Sequence, residues 1–181
     1  MRTAAALAVL CVVFAGASLD RANTAQAQAT ATGLDKLSAF QGQWTSKGEM
    51  RDSKFSKAGS NSATTTCSWS TNHGYLTCDQ LVQTSDGPEN DLSVYSFNEK
   101  DSTYLFFGLS RGDRDARTPK LTIDGNLWTY LGGFDQKDGK HISFRTTNSF
   151  TSPTSVVWRS EFSDDGTNWT LMGEGTESRV K

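Results

Sequence analysis

From Gly42 to the C-terminus, apolar and polar positions alternate over short runs, and no stretch keeps a helical spacing for long. Thr103-Tyr104-Leu105-Phe106-Phe107, Leu127-Trp128-Thr129-Tyr130-Leu131 and Val156-Val157-Trp158 are rich in the β-branched and aromatic side chains that suit a pleated surface. Turn signals separate the runs at intervals of about ten residues: Asp86-Gly87-Pro88, Asn98-Glu99-Lys100-Asp101, Arg111-Gly112-Asp113, Asp124-Gly125-Asn126, Asp138-Gly139 and Asp165-Gly166. The pattern predicts about ten antiparallel strands joined by hairpins. Before them, Leu34, Leu37 and Phe40 stand three apart, the spacing of one side of a short helix.

A succession of about ten short strands must hide its edges, and closing an up-and-down meander into one barrel removes every edge. A two-sheet sandwich is the alternative that the pattern leaves open. Leu105, Phe107 and Leu109 share one face of their strand while Tyr104 and Phe106 take the other. That suits a wall packed by a helix or loop outside and facing an apolar cavity inside.

The N-terminus sets the compartment. Met1-Arg2 precedes an apolar run from Ala4 to Ala17, shorter than the roughly 20 residues of a membrane-spanning helix. A small-residue, acid-poor stretch with Ala27-Gln28-Ala29 follows, so residues 1–29 read as a secretory signal peptide and 30–181 as a single domain. Periplasmic or secreted localisation is expected, with no membrane span after cleavage. Cys11 is discarded with the leader. Of the chain's 18 basic and 20 acidic side chains, the leader takes Arg2, Arg21 and Asp20, so the remainder is slightly more acidic than the whole. No basic surplus points to nucleic acid.

Export leaves Cys67 and Cys78 where disulfides persist. With Asn72 and His73 at the tip of a hairpin, Trp69 falls opposite Leu76 and Cys67 opposite Cys78, so the sulfurs meet across the ladder and a structural bridge is expected. His73 at the tip lies too far along the ribbon to share a metal with them. There is no C-x-x-C for redox chemistry.

Gly42-Gln43-Trp44, straight after a short helical segment in an all-β chain, resembles the opening of lipocalin-like (calycin) barrels, in which the tryptophan closes one end. The runs LDKLSAFQGQWTSKGE, YSFNEKDSTYLFFGLSRG and SDDGTNWTLMGEGTESRV resemble the bacterial lipocalin-like family known as domain of unknown function 1579, over Leu34 to Lys181. The resemblance implies a barrel and no agreed activity. It also implies structural roles for Gly42, Trp44 and Arg179, an arginine near the C-terminus placed to stack on that tryptophan. In the related haem-binding nitrobindins a histidine in the C-terminal strands holds the iron. His73 and His141 are elsewhere, so haem is not expected, nor any other cofactor.

Chemistry is harder to assign. The strand His141-Ile142-Ser143-Phe144-Arg145 sets His141, Ser143 and Arg145 on one face. Turned inward, Arg145 could grip a ligand carboxylate in a bidentate pair; turned outward, the three are solvated. In the strand from Val156 to Phe162, Val156, Trp158, Ser160 and Phe162 read as cavity or core, and Arg159 and Glu161 as outer-face charges. No nucleophile elbow, triad, P-loop or HExxH is present, so no catalytic residue is assigned. Tyr95, Phe97, Trp128, Tyr130, Arg145 and Trp158 are the ligand-binding candidates, for a small apolar or amphipathic molecule. The alternative function is an envelope protein-interaction or structural barrel whose interior is filled by its own side chains. Oligomeric state is not specified by these features.

Overall fold

The structure, a computed structural model, describes residues 33–181 except positions 86 and 114. The leader expected at 1–29, with Cys11, and Asp86 of one turn signal lie outside the described residues. A single turn of helix, α1 (Gly33–Lys36), runs into a 3-10 turn (Leu37–Phe40). Ten strands follow: β1 (Gly42–Met50), β2 (Gly59–Trp69), β3 (Leu76–Thr84), β4 (Gly87–Asn98), β5 (Thr103–Ser110), β6 (Lys120–Asp124), β7 (Leu127–Asp135), β8 (His141–Ser152), β9 (Ser155–Ser163) and β10 (Thr170–Arg179). Each pairs antiparallel with the next and β10 returns to β1, so the sheet is one closed meander and not a sandwich. Closure leaves no unpaired edge at this seam, where Trp44 stands opposite Arg179 and Ser46 opposite Glu177.

The apolar side of the helical segment plugs one end of the barrel. Leu37 and Phe40 are buried there with Trp44, Leu76, Trp128, Phe150 and Val156. The Phe40 ring meets Trp128 edge-on at 4.9 Å and Phe150 at 5.0 Å between centroids. Trp44 donates its indole N–H to the Phe40 carbonyl at 2.9 Å. Arg179 lies 4.7 Å over the Trp44 ring and donates to the carbonyls of Gln41 and Ala39 at 2.6 and 2.7 Å. One arginine thus covers the tryptophan and satisfies two carbonyls at the C-terminal end of the plug. Gly42 begins β1 at φ +110°, in backbone space that favours glycine, with Arg179 close by.

Cys67 and Cys78 pair in the β2–β3 register and form a disulfide with Cα atoms 4.0 Å apart. The hairpin end is wider than a two-residue tip: the strands stop at Trp69 and resume at Leu76. Ser70 organises the intervening loop, its Oγ accepting the Gly74 N–H at 3.1 Å and its own N–H meeting the Tyr75 carbonyl at 2.9 Å. His73, at φ 54°, stacks on Trp69. The cross-link closes a short loop, so a Cys67→Ala/Cys78→Ala variant should lose about 3 kcal/mol of unfolding free energy in urea. A loss under about 1 kcal/mol would show that the ladder already holds these ends together.

The apolar wall of β5 is arranged differently from the expectation. Tyr104 and Phe106 point inward, while Leu105, Phe107 and Leu109 are 40–43% exposed on the outer surface. The helical segment packs into the barrel end, so among the described residues no helix shields them.

Candidate functional site

Beyond the plug the interior is open. A cavity of about 960 Å³ runs from Phe40 toward the opposite end of the barrel. Its far rim is formed by the segment Asp115–Pro119 between β5 and β6, where the ladder is thinnest, with Tyr104 opposite Leu121 and Gly108 bridging to Arg117. On the other side of that rim, Phe55 from the β1–β2 connection packs against Phe144 and Phe162, each at 5.0 Å, and Phe134 at 6.2 Å. The premise of a filled interior does not hold.

A few polar groups converge in the middle of this largely apolar cavity. Tyr95 and Tyr130 meet with their hydroxyls 3.4 Å apart. Burial pushes the Tyr95 phenol up to about 12 and the Tyr130 phenol well above its ordinary value, so both keep their protons. Gln80 donates to the Thr65 hydroxyl at 2.8 Å, and Asn148 lines the wall beside Tyr130.

Trp158 lies across the inner wall over two glycines. A Cβ on Gly48 would fall 2.1 Å from its ring, and one on Gly175 2.7 Å from it. The indole N–H donates to Ser46 Oγ at 3.0 Å, which fixes the ring's orientation. Glycine on β10 and on β1 beyond it is what lets so large a side chain lie flat and leave the lumen free.

Next to Gly175 on the same face is Glu177. Its side chain lines the cavity, the residue is 8% exposed, and among the described residues no hydrogen bond or ion pair engages its carboxyl group. Burial raises its pKa from the ordinary 4.5 to about 7. Its charge bears on both phenols, which places the three groups around one volume.

Of the six ligand candidates, Tyr95, Tyr130 and Trp158 line the cavity. Trp128 is buried in the plugged end. Phe97 packs against Tyr104 with the rings tilted, 5.0 Å between centroids, and covers Gly33 at the base of the plug. Arg145 is a correction, for it points out of the barrel because Phe144 and Thr146 take the inward positions of β8. Outside, it lies 4.1 Å over Trp169 and donates twice to Glu161 Oε2, at 2.9 and 2.6 Å. Burial opposes ionisation of Glu161, but hydrogen bonds from Arg145 and Arg159 outweigh it and hold that carboxyl below its ordinary range. His141 is on the same outer face, paired with Asp135 at 2.7 Å, so it and Arg145 do not converge inside the cavity.

Glu177 is the residue that sequence reasoning passed over. The signal was available: the resemblance places Arg179 against Trp44, and a residue two positions earlier on a strand shares its face.

No family model and no curated protein matches the chain. Among solved structures it is similar to Rv2717c from M. tuberculosis, at 10% identity over 82% of this chain and 98% of that one, with a TM-score of 0.58. It is also similar to EF1p2_mFAP2b bound to DFHBI, at 11% identity over 82% and 100% of the two chains, with a TM-score of 0.44. A third, a protein of unknown function from the DUF3598 family of Nostoc punctiforme PCC 73102, is 9% identical over 82% and 99%, with a TM-score of 0.24. The last two superpose too loosely to argue from. The first shows the fold alone: this chain is a closed antiparallel β-barrel, and the narrower resemblance of its Gly42-Gln43-Trp44 opening has no matching family model.

Proposed function

We propose that the protein is an exported lipocalin-like barrel, residues 30–181 after a cleaved leader, that binds a small amphipathic molecule in its lumen without transforming it. The observation that carries this reading is the cavity of about 960 Å³, which is within the range of small-molecule sites and has aromatic walls around a few convergent polar groups. The disulfide suits an oxidising compartment, and the leader-like N-terminus supports export. The resemblance to domain of unknown function 1579 belongs to the same reading and adds no activity to it.

Uptake of the neutral fluorophore N-phenyl-1-naphthylamine tests the lumen directly. The wild-type protein should bind it with a blue-shifted emission. Thr146→Trp, which places an indole in the cavity from β8, should weaken uptake at least about tenfold while the protein still melts cooperatively. Absence of uptake by the wild type, with native mass spectrometry showing no bound species after mild purification, would overturn the reading.

A further inference from the structure

We infer that the lumen selects a ligand carrying an ammonium group, held by Glu177 beside Tyr95, Tyr130 and the Trp158 indole. This rests on the proposed lumenal binding and names the ligand's chemistry. A carboxyl group on a residue only 8% exposed is ordinarily matched by a cation or a set of donors, because taking a charge out of water unaided is costly. Glu177 has neither among the described residues, yet it borders space large enough for a ligand. The missing partner is therefore supplied from the lumen.

The surroundings specify the sign and shape of that partner. Ionisable side chains lining the cavity are Asp91, Asp115 and Glu177 against Arg117, besides the two tyrosines, so the lumen is electronegative. Arg117, at the rim, is already within 3.7 Å of Asp91 and 3.4 Å of Asp113. Among the described residues, an anionic head group would meet Glu177 with no free cation beside it. An ammonium would meet a carboxylate, two phenol oxygens able to accept hydrogen bonds and the face of an indole, the combination that attracts organic cations.

The geometry also makes occupancy pH-dependent. Facing Glu177 are Ser46 of β1 and Val156 of β9, its cross-strand neighbours, with Tyr95 of β4 and Tyr130 of β7 across the lumen. Thr65, Gln80 and Asn148 add no charge from β2, β3 and β8. Arg179, two residues on, is directed to the carbonyls of the plug, and Asp91, Asp115 and Arg117 lie toward the rim. Among the described residues, Glu177 is the group in the middle of the cavity that changes charge between pH 5 and 8, and its ionised form is the one that holds an ammonium.

Three indoles that differ in their head group test this by displacement of N-phenyl-1-naphthylamine: tryptamine, the alcohol tryptophol and the acid 3-indolepropanoate. At pH 8 tryptamine should displace the fluorophore at a concentration at least about tenfold below that of tryptophol, with the acid weakest. Glu177→Gln, which keeps the shape and removes the charge, should bring tryptamine level with tryptophol, both competitors being read against the variant's own affinity for the fluorophore. Lowering the pH to 5 should erase the preference in the wild type. Equal potency of amine and alcohol in a wild-type protein that takes up the fluorophore, or a preference that survives Glu177→Gln, would overturn the inference and leave the lumenal reading standing. If neither fluorophore nor tryptamine binds, both fall.

Discussion

Replacing Glu177 with glutamine makes the ligand-free barrel more stable at pH 8 by up to about 3 kcal/mol and leaves it nearly unchanged at pH 4. Burial lifts the folded-state pKa of Glu177 to about 7 from an ordinary 4.5. Below pH 4.5 the carboxyl is protonated in both folded and unfolded chains and contributes no difference. Between 4.5 and about 7 the unfolded chain releases this proton while the folded one keeps it, so wild-type stability falls as pH rises, at about 1.4 kcal/mol per pH unit. Above about 7 both forms are ionised and the loss stays constant. Glutamine has no such charge to bury. Thermal melts should therefore show the variant gaining roughly 6–12 °C at pH 8 and almost nothing at pH 4. An equal gain at both values would mean that shape or packing, and not the charge, sets the effect. A carboxylate kept at this cost where an amide of the same shape would fit is consistent with selection for binding over stability.

Trp44→Ala should lower the unfolding free energy by about 3–5 kcal/mol, a large part of what holds an ordinary domain together. The side chain is 1% exposed, with its ring 5.8 Å from Phe40 and 6.3 Å from Phe150. Its loss opens a void, removes the donor to the Phe40 carbonyl and leaves Arg179 without the ring it covers. The hydrogen bond ties the helical segment to β1, and Arg179, held to the carbonyls of Gln41 and Ala39, ties both to β10, so the plug should loosen before the barrel opens. Urea unfolding should show the reduced stability, and limited proteolysis should cut first near Gly33–Phe40. A loss below about 1 kcal/mol would contradict the role of this residue as the keystone of the closed end. Trp44→Phe keeps the apolar contact but not the N–H, and should fall between the two.

Much of the barrel could be read along the chain. Turn signals such as Asn98-Glu99-Lys100-Asp101, Asp124-Gly125-Asn126 and Asp138-Gly139 do fall between strands, because a tight reversal demands particular backbone angles that few residues adopt cheaply. The pairing of Cys67 with Cys78 followed from the register of one local hairpin, and survived a loop longer than expected because the loop widened symmetrically about its tip.

What local pattern determined was thus the run of strands, the register of the Cys67–Cys78 hairpin and which residues share a face, since each depends only on neighbours in the chain. Which of the two faces turned inward was decided by closure of the sheet. Arg145 and Phe107 carry the same strand-forming signals as Tyr130 and Phe106, yet the first two face outward, because side chains of opposite parity entered the lumen. Glu177 is the sharpest case. Its sequence neighbours make it one more polar residue on a polar strand, and only the return of β10 to β1, with Tyr95 and Tyr130 arriving from the far wall, takes its carboxyl out of bulk water and into a binding cavity.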